Sequence, residues 1–299
     1  MAIHNNQLEI WSKAPASTKS TYTYDQIKKA INSSPSFSGK RIDIYLQGSY
    51  ANSTNIKIDS DIDVVVQLNS TFHRDISKLS FEQKTLYESE HSNATYGFEH
   101  FKKDIIQALI NHFGSADVDA FGNKCIKIEG TNLRVNADVI PCLHHRNYQS
   151  FSHSKKDDYV EGIKIVTLDG REIINHPKLH IENSQHKNAE HRTSEKYKHA
   201  IRVLKNIKRR LVENNNINSD IAPSYFIECS VYNVPDNYFH TDLQTTIHNV
   251  LHHILNECDP NTMLTASHQH NLFGEEDWKW NTQDASTFFN AVNNYFYNN

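Results

Sequence analysis

The sequence has no apolar run near the ~18 to 20 residues that a membrane-spanning helix requires, which sets aside a helical membrane protein. Its first segment, MAIHNNQLEIWSK, lacks a charged start followed by an apolar core, so no secretory signal is expected. Cysteine is scarce: Cys125, Cys142, Cys229 and Cys258 lie far apart, with no CxxC or other close pair. That excludes a disulfide frame and a cysteine zinc site, and it points to buried thiols in a reducing, cytoplasmic setting. An excess of one charge sign is missing too, since 31 Lys and Arg face 35 Asp and Glu for a formal charge of −4. Non-specific wrapping of nucleic acid is therefore not expected, although a local basic groove is compatible with this balance. Histidine is plentiful, with 19 residues. His248/His252 and His176/His180 have helix-face spacing, but no Cys or carboxylate completes a zinc motif around either pair. They read as structural or solvent-facing histidines.

What is present is a change of pattern along 299 residues, a length sufficient for one large domain or two lobes. Residues 22–31 read as the end of a helix that INSSPSFSGK stops. RIDIYLQ alternates as a half-buried strand, and IDVVVQL is apolar on both faces, as a covered central strand would be. FEHFKKDIIQALINHFG places Phe98, Phe101, Ile105, Leu109 and Phe113 on one helical stripe before Gly114. KCIKIEG and LRVNADVIPC are strand patterns joined by a turn at Gly130-Thr131-Asn132, and EGIKIVTLDGREIIN is a hairpin around Asp169-Gly170. After about residue 185 the segments SEKYKHAIRVLKNIKRRL, PSYFIECSVYNV, LQTTIHNVLHHILNE and DASTFFNAVNNYFYNN all read as helical. The expected plan is α+β, a mixed lobe over residues 1–184 followed by a helical lobe over 185–299.

Between the first two strands lies LQGSYANSTNIKIDSDIDVVV. On a strand, residues two apart point the same way, so Asp61 and Asp63 project together. Adjacent carboxylates repel unless a cation resolves the conflict, and Mg²⁺ binds through one or two carboxylates plus substrate phosphate oxygens. Asp138 in LRVNADVIPC shares a strand face with Arg134 and Asn136. If its strand neighbours that of Asp61 and Asp63, three carboxylates converge, enough for a two-metal site. Gly48 allows close backbone approach to a phosphate, and Ser49 adds a hydroxyl. An Asp-x-Asp alone is common by chance; the combination describes nucleotidyl transfer. Lys198, Arg202, Lys205 and Arg209 follow helical spacing as a basic stripe, which most often is simply a solvated face.

Gly48-Ser49, eleven residues, and then Asp61-Ile62-Asp63 resembles the signature of the DNA polymerase β-like nucleotidyltransferase superfamily, with Asp138 where a third aspartate is expected. Over roughly residues 40–275 the chain is similar to the bacterial cyclic-GMP–AMP-synthase/DncV-like nucleotidyltransferases, through NHPKLHIENSQHKN, LKNIKRR and PSYFIECSVYNVP. The resemblance implies a polymerase-β-like core with a mixed sheet, a helical C-terminal lobe and an active site in the cleft between them. It implies that Asp61, Asp63 and Asp138 are catalytic and hold two Mg²⁺ ions, for which Mn²⁺ substitutes. It implies that Gln47, Gly48, Ser49, Lys205 and Ser224 bind the nucleotide, with Tyr225 stacking on the donor base. The product implied is a cyclic di- or trinucleotide messenger of anti-phage (CBASS) signalling, made from NTPs with release of pyrophosphate. A downstream effector and a regulatory partner are implied as well, with a monomeric enzyme. No Cys/His insertion matches the DNA-reading zinc element of the animal enzyme, so no DNA trigger is expected, nor is an appended effector domain. The rival readings are a linear oligonucleotide synthase, a tRNA- or protein-modifying transferase, and a non-catalytic nucleotide-binding scaffold.

Overall fold

The computed structural model describes residues 3–15, 17–57, 60–153, 158–276 and 278–298. In chain order the helices are α1 (Asn5–Ser12), α2 (Thr18–Asn32), α3 (Gly48–Ala51), α4 (Phe81–Glu90), α5 (Phe98–Phe113), α6 (Pro177–Lys187), α7 (Glu190–Thr193), α8 (Lys196–Glu213), α9 (Ser224–Tyr232), α10 (Leu243–Asn256) and α11 (Thr282–Asn298). The strands are β1 (Ile42–Gln47), β2 (Ile62–Asp75), β3 (Val118–Asp119), β4 (Ile126–Ile128), β5 (Ala137–Ser150), β6 (Asp158–Val166) and β7 (Glu172–Asn175). No helix among the described residues is long and apolar enough to cross a membrane. By packing the chain divides into two units, one of residues 17–47 and 59–177, the other of residues 1–16, 48–58 and 178–299.

The first unit is built on a mixed seven-stranded sheet in the order β1-β2-β5-β4-β3, with β6 pairing both β5 and β7. β2 and β5 run parallel at its centre, and the remaining pairs are antiparallel. Both central strands are 14 residues long, well past the apolar runs that mark them in the sequence. Ile62, Val64, Val65, Val66 and Leu68 are fully buried, as expected of a strand covered on both faces. α2 and α5 pack together and against this sheet. Ser17 caps α2 by accepting a hydrogen bond from the Ser20 amide, and Gly114, with φ of 91°, ends α5.

The second unit is helical, and α8 is its axis: α1, α9, α10 and α11 all pack against it. Its core gathers Leu8 and Trp11 of α1, Ile201, Leu204 and Ile207 of α8, Ile227 and Val231 of α9, and Phe288 and Phe296 of α11. A helix surrounded on so many sides has little solvated face. Residues 200–207 are therefore buried without interruption, the polar ones included.

Candidate active site

In the first unit, the parallel register of β2 and β5 sets Asp63 directly beside Asp138. Register partners on neighbouring strands point to the same face, so these two carboxylates share one face of the sheet. On the other side of β2, Gln47 of β1 stands opposite Asp63, and its amide oxygen Oε1 is buried with no hydrogen-bond partner among the described residues. Val65 lies two residues beyond Asp63, and Ile140 and Cys142 lie two and four beyond Asp138. These form an apolar cluster with Ile163 and Ile165. The carboxylates thus rise from the margin of an apolar floor. Burial, then the charge of Asp138, then that of Asp61, push the Asp63 carboxyl up to about 6.

Asp61 sits just before β2 and is exposed. The Asn136 side-chain amide orients it, donating from Nδ2 to Asp61 Oδ1 at 3.2 Å, while Asn136 Oδ1 accepts from the Gly130 amide at 2.7 Å. A Cβ on Gly130 would fall 2.9 Å from Asn136 Oδ1 and 3.0 Å from its backbone nitrogen, so this turn requires glycine for close approach. Cys125 adjoins Asp138. Burial, and then the charge of Asp138 and a hydrogen bond to it, push the thiol up to about 12, so it stays a neutral donor. Sequence reading places Asn136 on the face of Asp138 but gives it no role, and it gives Cys125 none. Their spacing to the aspartates across strands is set by register, which single-strand periodicity does not contain.

The donor chemistry of this cluster suits a hard divalent cation: carboxylate oxygens and the Gln47 amide oxygen, with Asp138 and Asp61 placing like charge against Asp63. Among the described residues, no group of three or more His, Cys, Asp or Glu side chains is already converged to hold a metal ion. Fit therefore rests on the donor types and on the charge conflict.

The remaining expected residues lie together in the second unit, apart from Gln47. Gly48, with φ of 66°, opens α3, so the Gly-Ser pair starts one turn of helix rather than a loose turn. Ser49, Ser224 and Tyr225 reach solvent, the last two at the start of α9. Lys205 does not lie on a solvated stripe: it is 5% exposed. Its Nζ donates to Glu228 Oε1 at 2.5 Å and to the Thr54 carbonyl and hydroxyl at 3.2 Å each. Arg202 is also buried, donating to the carbonyls of Ser12 and Ser53, and burial lowers its guanidinium to about 10. The packing of α8 explains both, because a cation on a helix enclosed by four others must find its partners inside the protein. Glu228 is held ionised. Burial alone would raise its carboxyl, but the charge of Lys205, and then His180, keep it far below the usual carboxylate range. The His180 ring lies 5.4 Å from that of Tyr225, with its Nε2 3.4 Å from Glu228 Oε2.

Residues 25–159 match the nucleotidyltransferase domain family, and residues 182–297 match the cGAS/DncV-like nucleotidyltransferase C-terminal helical domain. The chain is 40% identical to the cyclic nucleotide synthase CdnE01 of Staphylococcus haemolyticus, over 99% of both chains. Among solved structures it is similar to the CdnE c-UMP-AMP synthase of Rhodothermus marinus with Apcpp and Upnpp, at 36% identity and a TM-score of 0.87. That match covers 98% of this chain and 96% of the other. It is also similar to the CdnE cyclic dinucleotide synthase of Elizabethkingia meningoseptica with GTP and Apcpp, at 31% identity and a TM-score of 0.77, covering 98% of each.

Proposed function

The chain belongs to the cGAS/DncV-like nucleotidyltransferase family, and from that premise we propose that it joins NTPs into a cyclic di- or trinucleotide signal of bacterial anti-phage defence, releasing pyrophosphate at each step. The observation that carries the chemistry is the pairing of Asp63 with Asp138 in parallel register, with Asp61 close enough to add to the charge on Asp63. Asp61, Asp63 and Asp138 would hold the divalent cations, Mg²⁺ or Mn²⁺, which supply Lewis acidity to the reacting oxygens.

In the reaction proposed, a ribose hydroxyl of the acceptor attacks the α-phosphorus of the donor. A new P–O bond forms as the bond to the β-phosphate breaks, and pyrophosphate leaves with the electron pair. Asp138 is assigned to the acceptor side, where it takes the hydroxyl proton. Gln47, Gly48, Ser49, Lys205 and Ser224 are assigned to the donor triphosphate and Tyr225 to its base. In support, Ser49, Ser224 and Tyr225 reach solvent, and Lys205, its charge paired with that of Glu228, lies in the same unit. Aromatic stacking accepts any base, so Tyr225 leaves base choice to other contacts.

The test is incubation with each labelled NTP, singly and in pairs, with Mg²⁺ or Mn²⁺, followed by phosphatase and chromatography. A phosphatase-resistant small product is expected, and the pair that yields it identifies the bases. A phosphatase-sensitive ladder would instead mean linear chains. Labelled nucleotide left unconverted in every mixture would overturn the proposal.

A further inference from the structure

The carboxylate of Glu228 gathers more partners than a simple ion pair needs. Its Oε1 accepts from Lys205 Nζ at 2.5 Å and from the Thr54 hydroxyl at 2.7 Å, and its Oε2 accepts from Asn52 Nδ2 at 2.9 Å. Glu228 is 4% exposed and Thr54 is 1% exposed, so these bonds are made away from water. Two of the three donors belong to the short segment that begins with Gly48-Ser49. That segment is tied inward along its length. The Thr54 amide donates to the Ser49 carbonyl at 2.8 Å, and the Asn55 side chain donates to the Pro15 carbonyl at 3.2 Å. Ser53 adopts φ of 55°, a conformation unusual for a side-chain-bearing residue, and Arg202 binds its carbonyl. On the other side, Glu228 lies one helical turn beyond Ser224 and therefore on the same side of α9. One carboxylate thus fixes Lys205, the segment that starts at Gly48-Ser49, and the helix that opens with Ser224-Tyr225.

A buried ion pair is weak ground for stability, because desolvating two charges offsets most of their attraction and an apolar replacement is often as stable. What such a cluster gives reliably is fixed geometry. Here the geometry it fixes is that of the residues assigned above to the donor triphosphate. We propose that Glu228, with Thr54 and Asn52, is a positioning group for triphosphate binding: it sets Ser49 and Lys205 relative to Ser224 without itself touching the nucleotide. The inference rests on the function proposed above.

Glu228→Gln would strand the buried Lys205 charge and can fail to fold, so the decisive variant is Thr54→Val, which keeps shape and deletes only the hydroxyl. Pyrophosphate release is measured with all four NTPs present, alongside thermal melting. Thr54→Val is expected to raise the KM for NTP about tenfold with kcat changed by less than about threefold, the pattern of lost binding common to ground and transition states. Thr54→Ser, which restores the hydroxyl, is expected to return KM to the wild-type value. A Thr54→Val protein with wild-type KM and kcat overturns the positioning role while leaving the proposed function standing. So does a variant whose only change is a lower melting temperature. A wild-type protein that consumes no NTP overturns the function and the positioning role together.

Discussion

Replacing Asp63 by asparagine should stabilise the metal-free protein, and by an amount that depends on pH. Asp63 stands beside Asp138 in register and above an apolar floor, which together with Asp61 pushes its carboxyl from an ordinary 3.8 to about 6. Below pH 3.8 the group is neutral whether the chain is folded or unfolded, and it costs nothing. Between 3.8 and about 6 the unfolded chain gives up this proton while the folded chain keeps it, so stability falls as pH rises. Above about 6 the folded chain carries a full charge in an unfavourable place. That gap corresponds to about 3 kcal/mol, and access of solvent to the half-buried group brings it to about 1 to 3 kcal/mol. Asparagine has the same shape and no charge. With a chelator present, Asp63→Asn should therefore melt several degrees above wild type at pH 7.5, and the gain should shrink by about half at pH 5. Adding Mg²⁺ should raise the wild-type melting temperature, since a ligand bound only by the folded state stabilises it, and should leave the variant nearly unchanged. A variant less stable than wild type at pH 7.5, or a gain independent of pH, would refute the charge conflict on which the cation site rests.

Other expectations follow from the same contacts. Lys205→Met should cost about 3 to 5 kcal/mol in denaturant unfolding, because Glu228 is left buried without its cation. Adding Glu228→Gln should recover a large part of that loss, and purely additive effects would show that the two groups are not coupled. Gly130→Ala should displace Asn136, whose Oδ1 would lie 2.9 Å from the new Cβ, and so loosen Asp61. Pyrophosphate release should fall about ten- to a hundredfold while the melting temperature drops by only a few degrees; unchanged turnover would show that Asp61 does not depend on this turn.

The long strands, the helices α2, α5 and α8 to α11, and the carboxylates were legible in the chain because each announces itself locally, whereas α1, α4 and α6 were not. Ile62-Asp63-Val64-Val65-Val66 has the composition of a central strand, and it is one. Phe101, Ile105 and Leu109 mark the buried stripe of α5, although Phe98 and Phe113 at its ends are only partly covered. The convergence of Asp138 with Asp63 was legible only as a condition, since nothing within one strand says which strand lies beside it or in what register. The polar tails of β2 and β5, through Asp75 and Ser150, lie beyond the apolar runs, and pairing between strands extends them.

The face of α8 was the least legible. Lys198, Arg202, Lys205 and Arg209 have the spacing of a solvated stripe, and the assumption that such a stripe meets water fails when helices enclose it. Arg202 and Lys205 then take carbonyls and a carboxylate from Ser12, Ser53, Thr54 and Glu228, residues up to 190 positions away in the sequence. Glu228 itself sits within PSYFIECSVYNVP without any local mark of its role. Its partners Asn52 and Thr54 lie 176 and 174 residues earlier. Long-range polar satisfaction of this kind is a property of packing, and helical or strand periodicity carries no trace of it.

The most direct test of the central claim compares wild type with an Asp61→Asn, Asp63→Asn double variant, incubated side by side with labelled NTPs and Mg²⁺, with circular dichroism to verify that both are folded. A catalytic role for the two carboxylates requires a phosphatase-resistant product from wild type and none from the folded double variant. Product formation by that variant at a rate comparable to wild type would contradict it.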